Sequence, residues 1–206
     1  MSDPNHFRLI LFDIGNVILP FNLRKATAQF EKISRLPSEE IIRAVMGTSL
    51  DWSFEKGEIS PEAFYEEVKR RTGLTLPYDR FVPIWSDIFS ENRVVSNMVR
   101  KLKKKYTLAL LSNTNILHFN HVHEHFSIIR DVEYAILSFR EGLRKPDPKI
   151  FQIAFNRFHV TPKQTLYVDD RENFVIAGQK LGLEGIHFKS EEALAGELAS
   201  RGILPA

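Results

Sequence analysis

Arg8-Leu9-Ile10-Leu11-Phe12-Asp13-Ile14-Gly15 sets the architecture of this chain. Five residues, four of them apolar, run without alternation into an aspartate and a glycine. A short continuous apolar run predicts a strand buried on both faces, as in a parallel sheet. Three later runs have the same form: Tyr106–Leu111 before Ser112, Tyr134–Leu137 before Ser138, and Thr165–Val168 before Asp169 and Asp170. A weaker fifth covers Gly185–Phe188.

Amphipathic segments separate these runs. Helices are predicted from Asn92 or Arg93 to Lys105, over Asp147–Phe158, over Glu172–Leu181 with Gly182 as its stop, and over Ser190–Ala199 behind a capping serine. Strand and helix in alternation imply a doubly wound α/β fold. Between Phe21 and Ser90 the pattern changes. Leu23–Ser34, Ser38–Met46, Ser60–Arg71 and Tyr78–Phe89 read as helices, with Ser38 and Ser60 as N-caps and Pro83 as a kink. The expected organisation is a three-layer α/β/α sandwich with a parallel, Rossmann-like sheet. Residues 1–19 and 92–206 form its core, and a helical cap, residues 20–91, is inserted after the first strand.

Composition narrows the function. The 206 residues are 43% hydrophobic with 16 Phe, enough for a sizeable core. The net charge is +2 from 28 basic and 26 acidic side chains, interleaved in a way that does not favour nucleic acid. The basic run Lys101, Lys103, Lys104 and Lys105 suits the end of a helix. With no cysteine there is neither a disulfide nor a thiol nucleophile. No apolar run is long enough to span a bilayer. The polar residues 1–6 do not read as a signal peptide, so the expected compartment is the cytoplasm.

Ligands of open α/β sheets bind at the carboxyl ends of the strands. Those ends carry Asp13, Ser112, Asp169 and Asp170, and the loop after the third strand carries Lys145. Carboxylates, a hydroxyl and an ammonium converging there suit a phosphoryl group beside a hard divalent cation.

Four ordered motifs carry a family resemblance: Phe12-Asp13-Ile14-Gly15-Asn16-Val17, Leu110-Leu111-Ser112-Asn113-Thr114-Asn115, Arg144-Lys145-Pro146-Asp147 and Tyr167-Val168-Asp169-Asp170. With them, over essentially its whole length, the chain resembles the haloacid dehalogenase superfamily of hydrolases. Together with Gly57-Glu58-Ile59-Ser60, they are most like bacterial alpha-D-glucose-1-phosphate phosphatase-like members. The resemblance implies a phosphatase that hydrolyses a small phosphorylated metabolite, with a sugar phosphate as one candidate, using magnesium (Mg2+). Asp13 is implied as the nucleophile, forming an aspartyl-phosphate. Ser112, the Asn113 backbone N–H and Lys145 are implied to hold phosphate oxygens. Asp13, the Gly15 carbonyl and Asp170 are implied metal ligands, with Asp169 beside them or on a metal-bound water.

Two positions depart from the family pattern. Its usual general acid, two residues after the nucleophile, is replaced by Gly15. Such an acid contributes about 10²–10⁴ in rate, or about 3–5 kcal/mol. Asp51, Glu55 and Glu58 in the cap are the candidate replacements. Where relatives carry Asp or Asn four residues after Asp170, this chain has Phe174, preceded by Asn173. Among other features, His118, His121, His123 and His125 read as helix-surface residues rather than a metal site. Trp52 and Phe54 are the aromatic residues expected nearest the substrate. Two rival functions remain: a metal-independent 2-haloacid dehalogenase, and a catalytically weak phosphate-binding scaffold in which Gly15 marks lost activity.

Overall fold

The computed structural model describes residues 6–204. Five parallel strands form the sheet: β1 (Leu9–Phe12), β2 (Thr107–Ser112), β3 (Tyr134–Leu137), β4 (Thr165–Asp169) and β5 (Glu184–His187), in the order β3-β2-β1-β4-β5. Phe12 pairs in register with Leu110 on one side and Val168 on the other. The strand order reverses at β1, so a crevice opens at its carboxyl end, where Asp13 stands.

Alternation along the strands builds the layers. Ile10, Phe12, Leu108, Leu110, Leu166 and Val168 face one side. There they pack on α6 (Arg93–Leu102), α7 (Ile116–His125), α8 (Ser127–Asp131) and α12 (Glu191–Ser200). Leu9, Leu11, Ala109, Leu111, Ile136 and Tyr167 face the other side, against α10 (Pro148–Phe158) and α11 (Glu172–Gln179). A short helix, α9 (Ser138–Glu141), follows β3. The fully buried strand residues explain the near-continuous apolar runs.

Between β1 and α6 lie five helices: α1 (Arg24–Phe30), α2 (Ser38–Val45), α3 (Ser49–Glu55), α4 (Pro61–Thr72) and α5 (Tyr78–Ser86). They share an apolar cluster of their own around Phe30, Phe54, Phe64, Phe81 and Trp85. Phe54 stacks on Phe64 with ring centroids 4.1 Å apart. Ser60, Asn92 and Ser190 cap α4, α6 and α12 through their side chains. Ser38 does not cap α2. Pro37 takes that position, and the Ser38 hydroxyl donates to Glu31 Oε2 at 2.7 Å. α3 is not evident from sequence periodicity. α5 keeps Pro83 within it and ends at Ser86, short of Phe89, which instead forms an isolated antiparallel bridge with Phe21.

Helix α3 is held against the core at Gly57. That glycine has φ +69°, and a Cβ there would lie 2.4 Å from the Phe139 carbonyl oxygen on α9. Only a residue without a side chain tolerates both.

Candidate active site

Three strand ends and one loop meet at the crevice. Asp13 follows β1, and its N–H donates to the Val168 carbonyl at 2.9 Å. Ser112 closes β2, Asp169 closes β4, and Asp170 follows it. Lys145 enters from the loop before α10, preceding a cis Pro146. The Asn113 side chain fastens that loop to β2: its Nδ2 donates to the Lys145 carbonyl at 2.9 Å, and its Oδ1 accepts from the Lys145 N–H at 2.8 Å.

Lys145 is 1% exposed, yet all three ammonium hydrogens have acceptors. These are Asp169 Oδ2 at 2.6 Å, Leu111 O at 2.9 Å and Asp13 Oδ1 at 3.0 Å. Burial alone would lower its pKa, but Asp13 and Asp169 outweigh burial and raise it. Lys145 therefore stays charged. Its closer contact is with Asp169, which also accepts from the Tyr167 hydroxyl at Oδ2 and from the Arg171 N–H at Oδ1, 2.8 Å away. Tyr167 and Asp169 are two apart on a strand, so they share a face.

Asp13 receives the weaker share of that cation. Burial pushes its carboxyl up to about 6, Lys145 pulls it down, and Asp169 pushes it up. The Ile14 N–H donates to its Oδ1 at 2.8 Å, and Ser112 further favours the charged form. Asp170 is also raised, by burial first and by Asp169, despite a hydrogen bond from Asn16 Nδ2 at 3.1 Å. Asn16 adopts φ +53°, a left-handed conformation that asparagine tolerates better than most residues. Ligand oxygens of Asp13, Asp169 and Asp170 lie within 4.8 Å of one another, the one such acidic or histidine group among the described residues. Three carboxylates face one ammonium, so two negative charges lack compensation. That is the deficit a divalent cation fills, and oxygen donors are the donors that hard cations take.

The departures from the family pattern have structural counterparts. At Gly15, a Cβ would sit 3.2 Å from the Phe21 ring, so Phe21 stands where a larger side chain would extend. Phe174 is buried, with its ring centroid 5.3 Å from Lys145 Nζ, while Asn173 is exposed on the first turn of α11. Asn16, Tyr167 and Arg144 are site neighbours that stand within the quoted motifs but received no role from them. For Tyr167, strand alternation with Asp169 is the signal that places both on one face.

The aromatic and histidine residues singled out in the sequence take several different positions. Phe54 lies inside the helical cluster, and Trp52 is 46% exposed with Arg144 over its ring at 5.7 Å. His121 and His125 stack on each other at 4.3 Å, and His118 is buried between Trp85 and Phe89. No helix among the described residues is long and apolar enough to cross a membrane.

Comparison with known proteins agrees with this geometry. A D-ribitol-5-phosphate phosphatase of Bacteroides thetaiotaomicron is 28% identical over 184 residues, 85% of this chain and 88% of that protein. A HAD family enzyme from the same organism, solved in complex with magnesium and inorganic phosphate, superposes with a TM-score of 0.80 at 25% identity, covering 89% of this chain and 94% of the other. The L-2-haloacid dehalogenase of Xanthobacter autotrophicus shares the fold at 17% identity and a TM-score of 0.65, over 97% of this chain and 85% of its own. The sequence model of the haloacid dehalogenase-like hydrolases matches residues 7–182, and the chain belongs to that family.

Proposed function

We propose that this protein is a Mg2+-dependent phosphomonoesterase that hydrolyses a small phosphorylated metabolite through a phosphorylated Asp13. The observation that carries this reading is the charge deficit at the crevice. Three converging carboxylates are only partly neutralised by Lys145, and both Asp13 and Asp170 are held above the usual carboxylate range. The magnesium and phosphate found in the similar Bacteroides enzyme, and the phosphatase activity of the ribitol-5-phosphate relative, support it.

In this reading Asp13, Asp170 and the Gly15 carbonyl would hold Mg2+, which would supply positive charge against the phosphate oxygens. Asp169 would adjoin the cation, and its main task would be to anchor Lys145, since Lys145, Tyr167 and Arg171 already claim its oxygens. Asp13 attacks phosphorus, the ester oxygen departs, and water then hydrolyses the aspartyl-phosphate. Ser112, Asn113 and Lys145 line the strand ends where the transferred phosphoryl sits. Residues 20–91 act as a cap over a core of residues 1–19 and 92–206. The separate apolar cluster of the five helices and the tight Gly57 contact support that division.

The test is turnover of p-nitrophenyl phosphate, with and without EDTA, alongside chloride release from a 2-chloroacid. Phosphate release that needs Mg2+ and is abolished by Asp13→Asn supports the proposal. Chloride release that survives EDTA would replace it with dehalogenation. No turnover of either substrate would favour a binding scaffold.

A further inference from the structure

Beside Gly15 and Ser112 the crevice continues into a chamber of about 80 Å³ under the five helices. Its wall is mostly apolar, with Ile14, Phe21, Leu23, Met46, Ile88 and Phe89 among the lining residues. An alkoxide expelled into such surroundings is costly, because a charge in an apolar site lacks solvation. It needs a proton at the moment the bond breaks, and Gly15 has none to give.

Of the residues lining the chamber, only Glu55 and His118 titrate. His118 is already committed: its Nδ1 lies 3.1 Å from Asn115 Nδ2 and its Nε2 lies 3.2 Å from the Trp85 carbonyl. Nδ1 accepts and Nε2 donates, so the ring is neutral and has no free valence. Of the other two acidic residues on this side, Asp51 does not line the chamber and takes the Gly47 N–H at 2.9 Å. Glu58 is exposed and paired with Lys56 at 2.8 Å.

We infer that Glu55, at the end of α3, is the general acid and base of this site, and that Arg144 is its positioning residue. The inference rests on the phosphatase reading above. Arg144 Nε donates to Glu55 Oε2 at 2.6 Å, which leaves Oε1 to carry the proton. Arg144 also adjoins Lys145, so one loop fixes both the phosphate-binding ammonium and the proton donor. Burial first, then Asp51, push the Glu55 carboxyl up to about 7, against Arg144 and Lys145, which pull it down. The charges of α9 are engaged elsewhere: Glu141 with Arg157, Arg140 over Phe119. On α4, Arg71 reaches Ala44 O and Thr48.

The chemistry balances over two steps. Asp13 Oδ bonds to phosphorus as the phosphorus–ester oxygen bond breaks, and Glu55 gives its proton to that oxygen, releasing an alcohol. Water then bonds to phosphorus, Glu55 takes its proton, and the bond to Asp13 breaks. Inorganic phosphate leaves, Asp13 is a carboxylate again, and Glu55 is reprotonated.

The test follows the first turnover of Mg2+-loaded wild type and Glu55→Gln on p-nitrophenyl phosphate and on n-butyl phosphate. Nitrophenolate needs no proton to leave, whereas butoxide does. Glu55→Gln should release one equivalent of nitrophenol at the wild-type rate and then stall, with first-turnover butanol release slowed about 10²–10⁴-fold. Equal slowing of both first turnovers, or of neither, overturns the assignment. In the wild type, butanol release should fall as pH rises through about 7, and nitrophenol release should not. This arm holds even if the variant misfolds, and parallel pH profiles overturn the assignment too. Failure of the phosphatase reading looks different: the wild type itself then shows no Asp13-dependent turnover of p-nitrophenyl phosphate.

Discussion

Lys145→Met removes the ammonium and keeps much of the stem volume. In the native protein that ammonium satisfies the Leu111 carbonyl and bridges the Asp13 and Asp169 carboxylates, with Asp169 fully buried. The substitution strands two buried carboxylates and a carbonyl. Breaking a buried ion pair by removing one partner costs about 3–5 kcal/mol, a large part of the 5–15 kcal/mol or so that folded domains hold in reserve. Asp13, already at about 6 with Lys145 beside it, loses its strongest stabilising charge and rises further. At neutral pH its nucleophilic form is then depleted. Urea unfolding followed by the fluorescence of Trp52 and Trp85, at pH 7.5, should show a loss of about 3–5 kcal/mol. Saturating Mg2+ should recover part of it by restoring positive charge. Adding Asp169→Asn should cost less in the Lys145→Met background than in the wild type, because neighbours that share a charge are not additive. A Lys145→Met protein within about 1 kcal/mol of wild type, with turnover intact, would refute the claim that this lysine balances the site.

Gly57→Ala forces a side chain into φ +69° and into the Phe139 carbonyl 2.4 Å away. The backbone term alone is about 1–2 kcal/mol, so the melting temperature should fall and turnover with it, because Glu55 lies two residues upstream; an unchanged melt would contradict the contact. Burial holds His118 down at about 4, from 6.5, so the unfolded chain binds its proton first as pH falls. Its contribution, about 3 kcal/mol, is present above pH 6.5 and lost on the way down through 4. Asp13 and Glu55, both raised, act in the opposite sense, losing stability as pH rises toward about 6 and 7. The His118 effect is therefore read as the pH slope of wild type minus His118→Phe, and a flat difference between pH 6.5 and 4 would count against it.

Much of this was legible in the residues, for physical reasons that differ by element. Leu9–Phe12 announced a doubly buried strand because both its faces meet helices, so no polar residue is tolerated. Asp13, Ser112, Asp169 and Asp170 were found because strand ends are read off where apolar runs stop. The partition between Asp169 and Asp170 came only from the family resemblance, not from the residues themselves. It depends on the strand pleat, which turns Asp169 inward to Lys145 and Tyr167 and leaves Asp170 beyond the strand on the crevice side. Ser38 misled because Pro37 already supplies the extended backbone before α2. Glu55 could not be told from Asp51 and Glu58 because the seven-residue α3 is too short to show a period; of the three, only Glu55 lines the chamber. Phe54 and Trp52 could not be placed for the same reason.

The central claim is that Asp13 becomes covalently phosphorylated, and acid quenching during turnover tests it most directly. Rapid quench of the Mg2+-loaded protein with p-nitrophenyl phosphate, followed by tryptic mapping, should place one phosphoryl group on the segment of residues 9–24, labile to hydroxylamine and absent in Asp13→Asn. Turnover at a wild-type rate by Asp13→Asn, or a phosphoryl group that maps only outside residues 9–24, would contradict the account.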